Sequence, residues 1–213
     1  MASRPRRGEA RADVDAHRVH HQPLGVIQKM PYGAQEYIVA CARTDPHNTL
    51  QIVTDPPLQG APAFREEVWI YGQLVCLVQD MNVPWIVRLQ SECGKGAHQD
   101  TCEAMHVGAD VYLCPSHGDS RPCTAMEYIL HSLDTITAQL CSPQHFPGGA
   151  YVPHESVRLF YSMSKQLARI FLHIQLHHGE LFAEAEATSS LYARFRMLVE
   201  MYDLYPVEEL PVQ

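Results

Sequence analysis

Several features that mark particular classes of protein are missing from this sequence. No stretch approaches the run of about 20 apolar residues that a membrane-spanning helix needs. Basic residues are outnumbered by acidic ones, 16 against 24, and the formal net charge of −8 argues against a nucleic-acid-binding protein. The zinc-hydrolase motif HExxH is also absent. The sequence therefore predicts no membrane span, no nucleic-acid partner and no catalytic metal of that kind.

The N-terminal residues lack the features of a targeting segment. They contain arginines but no apolar stretch, and Glu9, Asp13 and Asp15 argue against a transit peptide. Because they offer little apolar surface to bury, residues 1–32 are expected to form a disordered tail, followed by one domain over residues 33–213. The odd number of cysteines, seven, without a signal peptide predicts a reducing location, the cytoplasm.

Apolar residues beyond the tail recur mostly at three- and four-residue steps, which is typical of helices packed against a core. These patterns predict helices over 33–43, 66–80, 125–140, 154–184 and 190–204, with a short apolar run at 49–53. The segment from Trp85 to Leu89 is predicted to be extended, and Val107 to Cys123 to form a small β-hairpin turning at HGD. The fold class is therefore predicted to be mainly α, an antiparallel helical bundle with one hairpin.

Three histidines interrupt the apolar face of the longest predicted helix, at His173, His177 and His178. A buried imidazole without a partner costs free energy, because at least one ring nitrogen loses its water. Upstream, Cys93 and Cys102 bracket a loop of small and polar residues. Two thiolates and two imidazoles complete a tetrahedral zinc site, which leaves no position for water. The pattern predicts one structural zinc that ties the loop to the helix.

Spacing alone leaves the pair of histidines open. His173 and His177 lie on one face of an ideal helix, whereas His178 is about 140° round from His173. His98, inside the cysteine loop, is a further candidate ligand.

Five other cysteines lie outside this pattern. Cys114 and Cys123, with His117 between them, form a second possible metal cluster, but no fourth ligand is apparent and two cysteines flanking a hairpin are the simpler interpretation. The remaining three are predicted to fill small positions in the core: Cys41, Cys76 and Cys141.

Longer segments carry a family resemblance. They are EEVWIYGQLVCLVQDMNVPWIVRLQSEC, DTC, YLCPSH, CTAMEY, HSLDT, HFP and RIFLHIQLHHGELF. Together they resemble the Mob family, and its phocein-like branch most closely, from about Gln35 to Leu204. The resemblance implies an α-helical bundle with one structural zinc, bound by two loop cysteines and two histidines five residues apart, here Cys93, Cys102, His173 and His178. Relatives usually place four residues between the cysteines, whereas this chain has eight.

The same resemblance implies a non-catalytic function. Mob proteins are adaptors that bind kinases and phosphorylated segments, and phocein-like members resemble a subunit of the striatin-based phosphatase–kinase (STRIPAK-like) assembly. The implied partners are a striatin-like scaffold and Ste20-like protein kinases. The alternatives are a coactivator that acts directly on an NDR/LATS-like kinase and, less favoured, a zinc-dependent hydrolase.

A phosphopeptide-binding trio is implied as well. The family's basic residues on the helix before the first zinc histidine correspond here to Lys165, Gln166 and Arg169. Gln166 departs from the basic pattern, so a bound phosphate would lose one charge-assisted contact. The alternative is that Lys165 and Arg169 form an ordinary solvated face, four residues apart.

Overall fold

The computed structural model describes residues 33–55, 65–107, 110–114, 116–117, 123–149 and 151–211. The predicted tail, residues 1–32, lies outside these ranges, and so does most of the predicted hairpin turn at HGD. The extent of a single domain over residues 33–213 therefore stays a prediction.

Eight α-helices make up most of the described residues. In chain order they are α1 (Gly33–Thr44), α2 (Thr49–Val53), α3 (Glu66–Met81), α4 (Val87–Glu92), α5 (Ala125–Leu140), α6 (His154–His177), α7 (Gly179–Ser189) and α8 (Leu191–Tyr202). Short 3₁₀ turns occur at Gly96–His98, Pro147–Gly149 and Val207–Glu209. The predicted mainly α fold class is confirmed. Among the described helices, none combines the length and the apolar character that a membrane-spanning segment requires.

Helix α3 lies at the centre of the bundle. Its side chains are buried on nearly every side, from Val68 near its start to Met81 at its end. It packs against α1, α5, α6 and α8. A helix that is apolar around its circumference belongs in a core rather than at a surface. The strong apolar pattern at 66–80 therefore marked the central helix of the fold.

An aromatic cluster joins the helices around the junction of α6 and α7. The ring of Trp85 meets Phe171 and Phe182 edge-on, each with 5.3 Å between centroids. Phe171 in turn packs on Tyr192 and Phe195 of α8, at 5.2 Å each. Such pairs stabilise the fold by about 1 kcal/mol each beyond their burial. The cluster fixes the place where the chain leaves α6.

The predicted hairpin from Val107 to Cys123 is not seen in the described residues. Two short strands, β1 (His106–Val107) and β2 (Asp110–Val111), pair antiparallel instead. Residues 112–114, predicted as strand, have no strand partner in the described part of the chain. The tyrosine at their start donates its backbone N–H to Met105 at 2.8 Å, so the chain turns back earlier than the HGD sequence indicated.

The segment from Trp85 to Leu89 is helical, so the prediction of an extended piece is wrong. One wide helical turn spans Asn82–Ile86 and leads into α4, with a break in helical geometry at Val83. A short apolar run of this kind is ambiguous, because it suits a buried strand or a buried helix equally well. Pro84 after the break is compatible with a helix start, since its missing N–H is not needed there.

Two further predictions are corrected. The long helix predicted over 154–184 ends at His177, and a separate helix begins at Gly179. Cys141, predicted to fill a core position, is exposed, because it lies at the C-terminal end of α5 after the last buried residue, Leu140. Cys41 and Cys76 are buried, as predicted.

A capping box formed by Thr124 and Glu127 starts α5 and can be tested. The Thr124 hydroxyl accepts the backbone N–H of Glu127 at 3.2 Å, and the Glu127 carboxylate accepts the N–H of Thr124 at 3.0 Å. Thr124→Ala should lower the free energy of unfolding by about 1 kcal/mol in urea denaturation. Thr137→Ala, at an exposed site on the same helix, is the control and should cause no loss. Equal stability of both variants would contradict the capping role.

Candidate metal centre

Two segments far apart in the sequence meet at a buried group of sulfur and nitrogen atoms. Cys93 directly follows α4, and Cys102 lies nine residues later, after the 3₁₀ turn. His173 is in the last turns of α6, and His178 separates α6 from α7. One donor atom from each of the four residues lies within 4.8 Å of every other. All four residues are buried. This group is called the candidate metal centre below.

The separations fit a tetrahedral site. Cys102 Sγ lies 3.3 Å from His178 Nε2 and 3.8 Å from His173 Nε2, and Cys93 Sγ lies 3.9 Å from His173 Nε2. Bond lengths of about 2.3 Å for Zn–S and about 2.1 Å for Zn–N place tetrahedral donors about 3.3 to 3.8 Å apart. These three separations are within a few tenths of an ångström of the tetrahedral values, and the other pairs of donor atoms lie within 4.8 Å, so one zinc ion could contact all four atoms after small shifts.

A break in the helix brings His178 to the sulfurs. The backbone of His178 has φ −135° and ψ 49°, which is not helical, although its N–H still bonds to Ile174 O at 2.8 Å. The angle of about 140° on an ideal helix therefore does not apply. Glu92 Oε2 lies 3.6 Å from His178 Nδ1, on the other side of the ring. A carboxylate in that position orients the ring so that Nε2 faces a metal.

His177 and His98 lie beside the candidate metal centre but outside it. The ring of His177 is 4.9 Å from that of His173, centroid to centroid, and its Nε2 is buried without a hydrogen-bond partner among the described residues. The ring of His98 packs on that of His178 at 4.4 Å. Ideal helical spacing does place His177 beside His173, but the group of four donor atoms contains His178 instead, because the backbone of His178 departs from the helix.

The electrostatics of the centre suit a metal ligand set. Burial, with the neighbouring His177 and His178 adding to it, lowers the pKa of His173 to about 3. Burial also lowers the pKa of His178, with His98 adding to it. Both imidazoles are therefore neutral near pH 7, the form that binds metal. Burial, with Cys102 adding to it, raises the pKa of the Cys93 thiol, and a bound cation would reverse that effect by stabilising the thiolate.

The predicted phosphate-binding trio lies on α6, and all three members are partly buried. The guanidinium of Arg169 lies over the ring of Tyr112, 3.9 Å from its centroid, and donates from Nη1 to the hydroxyl of Tyr128 at 3.1 Å. Gln166 donates to Ser162 Oγ at 3.5 Å. Arg169 is therefore not part of an ordinary solvated face. Sequence reasoning missed both tyrosines, because nothing in their spacing links them to α6.

The second possible cluster also gains a member that sequence reasoning missed. Cys114, His117 and Cys123 lie close to His131 of α5, and the four donor atoms are again within 4.8 Å of one another. The available signal was that His131 lies in the helix that begins directly after Cys123.

Comparison with known proteins places the chain beside one family. Residues 45–212 match the model of the Mob1/phocein family. The chain is 34% identical to MOB kinase activator-like 4 of Drosophila melanogaster over 179 residues, which cover 84% of this chain and 76% of that protein. It is 31% identical to MOB-like protein phocein of Caenorhabditis elegans over 179 residues, with the same shares covered. A third relative, MOB kinase activator-like 3 of Drosophila melanogaster, is 28% identical over 126 residues, covering 54% of this chain and 57% of that protein.

Single substitutions test the ligand set of the candidate metal centre. Cys93→Ser and His178→Ala should each remove one equivalent of bound zinc, measured by elemental analysis of untagged protein. Losing a cross-link that closes a loop of 80 residues removes about 4 kcal/mol, which lowers the melting temperature by about 10 °C.

Two neighbouring residues serve as controls. His177→Ala removes the adjacent imidazole, and Cys141→Ser removes an exposed thiol; both variants should keep the metal content of the parent. If His177→Ala loses zinc while His178→Ala retains it, the ligand assignment is wrong.

Proposed function

Because the chain belongs to the Mob1/phocein family, we propose that it is a non-catalytic adaptor that binds protein kinases and phosphorylated segments. The family match across residues 45–212 carries this proposal, and that range includes the candidate metal centre and the basic residues of α6. The relatives' names, kinase activator-like and phocein, support a role in kinase regulation.

The candidate metal centre is proposed to hold one structural Zn²⁺. Two sulfurs and two nitrogens fill a tetrahedral shell, whereas a hydrolytic zinc keeps a position open for water. Glu180, the nearest following carboxylate in the chain, is exposed and belongs to the first turn of α7. A zinc hydrolase is therefore less well supported than an adaptor whose metal stabilises its fold.

The basic residues of α6 are proposed to bind phosphate. Contacts with Tyr112 and Tyr128 restrict the Arg169 side chain, and its Nε has no hydrogen-bond partner among the described residues. A guanidinium held in place loses less conformational entropy when it binds a phosphate. Lys165 adds a second positive charge one turn earlier, while Gln166 supplies none.

The proposed setting is a cytoplasmic signalling complex. Similarity to phocein favours a striatin-like scaffold with Ste20-like kinases, as in STRIPAK-like assemblies. Similarity to a protein named as a kinase activator supports the alternative, direct coactivation of an NDR-like kinase. Thiolate zinc ligands remain reduced in the cytoplasm.

The phosphate-binding proposal predicts opposite effects at adjacent positions. Lys165→Glu should weaken the binding of phosphothreonine peptides about tenfold or more, because one charge-assisted contact of about 1.5–3 kcal/mol is replaced by repulsion. Gln166→Arg should strengthen it, because it restores the missing charge. Fluorescence polarisation with labelled peptides, each beside its unphosphorylated form, measures both effects.

The control is Arg43→Glu, the same charge reversal at an exposed position on α1. It should leave peptide affinity unchanged. If Lys165→Glu binds as tightly as the parent, or loses affinity equally for both forms of the peptide, the basic residues do not recognise phosphate.

Partner identity is tested by affinity purification from the native organism with quantitative mass spectrometry. A striatin-like scaffold with Ste20-like kinases should be enriched. The recovered amounts of both should be lower with His173→Ala, which lacks one ligand of the proposed zinc. An NDR-like kinase recovered without a scaffold would favour the alternative. Recovery of neither kinases nor scaffold by the parent would contradict the adaptor role.

A further inference from the structure

We infer that Cys114, His117, Cys123 and His131 form a second zinc site, distinct from the candidate metal centre. The two groups have no residue in common. Two cysteines and two histidines are a donor set that favours Zn²⁺ in tetrahedral geometry. Cys114 and His117 are three positions apart, and Cys123 directly precedes the cap of α5, so three ligands precede α5 in the sequence and the fourth lies within it.

Two of the three distances given for this second site match those required by a tetrahedron, and the third is about 0.3 Å shorter. His117 Nδ1 lies 3.0 Å from Cys123 Sγ, while His131 Nδ1 lies 3.4 Å from Cys114 Sγ and 3.7 Å from Cys123 Sγ. Donors around zinc are about 3.3 to 3.8 Å apart. The two imidazole rings meet edge-on, with 4.6 Å between centroids and 77° between planes. Rings that approach one point from different directions can both direct a nitrogen at the same ion.

Burial distinguishes this group from surface residues that happen to lie close. Cys114 and Cys123 are 3% and 6% exposed. A buried thiol commonly packs against apolar groups, but here both sulfurs face imidazole nitrogens. His131 is rigidly placed, since it lies within α5, two turns after the capping box at Thr124. A cation could bind all four donor atoms that this arrangement brings together.

Zinc bound at the second site would link the residues that follow β2 to helix α5. Tyr112, two residues before Cys114, lies over the guanidinium of Arg169, and Tyr128, one turn before His131, accepts a hydrogen bond from it. Zinc bound at this site would therefore hold both tyrosines in place around Arg169. The alternative is a Cys114–Cys123 disulfide or an unmetallated group of thiols and imidazoles.

Metal counting tests the inference with the full-length, untagged chain, expressed with zinc and purified without chelator. Elemental analysis should give two zinc equivalents for the parent, one for His131→Ala, one for Cys93→Ser, and none for the double variant. His131→Cys should retain both equivalents, since a thiolate can replace the imidazole. His154→Ala, at an exposed histidine of α6, is the control and should match the parent.

The inference is overturned if the parent binds one equivalent of zinc, His131→Ala still binds it and Cys93→Ser does not. The reverse pattern, one equivalent lost with His131→Ala and kept with Cys93→Ser, would support the second site and refute the first. Metal content is measured without any partner, so neither result decides the adaptor role.

A labelling experiment on the unmodified chain guards against variants that do not fold. With zinc bound, Cys114 and Cys123 should resist iodoacetamide, and a chelator should make both reactive. Cys141, which is exposed, should react in both conditions, and Cys76, which is buried outside either group, should react in neither. Rapid labelling of Cys114 and Cys123 before chelation, or their recovery as a disulfide-linked peptide, would overturn the inference.

Discussion

The convergence of two thiols and two imidazoles in a buried space is the constraint on which the surrounding structure depends. The contacting pairs are 71, 76 and 80 residues apart along the chain. Closing a loop of that length costs about 4 kcal/mol of chain entropy, a large share of the 5–15 kcal/mol that stabilises a typical domain. Buried polar atoms add a desolvation cost unless they find a partner. A metal ion that bonds all four groups offsets both costs at once.

Sequence periodicity predicted the long helices well because each buries a wide apolar face. The central helix α3 and the capped helix α5 begin and end within a few residues of their predicted bounds. Short elements were predicted less well. Trp85 to Leu89 is too short for its period to separate helix from strand, and β1, which pairs with β2, packs against α6, a contact that the local sequence does not report.

The residue types of the candidate site could be predicted from the sequence, but their arrangement in space could not. Three histidines on an apolar face and two cysteines in a loop indicated metal binding. The choice between His177 and His178 depended on the non-helical backbone of a single residue at the end of α6. A regular helical period of 3.6 residues does not predict where such a break occurs. His131 was missed for a related reason. It belongs to a helix, where the sequence pattern predicts the apolar face, whereas its three neighbours lie outside any helix or strand among the described residues.

The candidate metal centre and the proposed phosphate-binding residues are physically continuous in this fold. Arg169 precedes His173 by four residues on α6, so the two side chains project from the same face of the helix. The carbonyl of Cys102 accepts the backbone N–H of Ala125 at the start of α5. Three residues after Cys102, the carbonyl of Met105 accepts the backbone N–H of Tyr112. The residues that position the guanidinium are thus connected by short hydrogen-bonded links to the residues of the candidate metal centre. Loosening either Cys/His group would raise the entropic cost of ordering Arg169, so zinc occupancy and phosphopeptide affinity would change together.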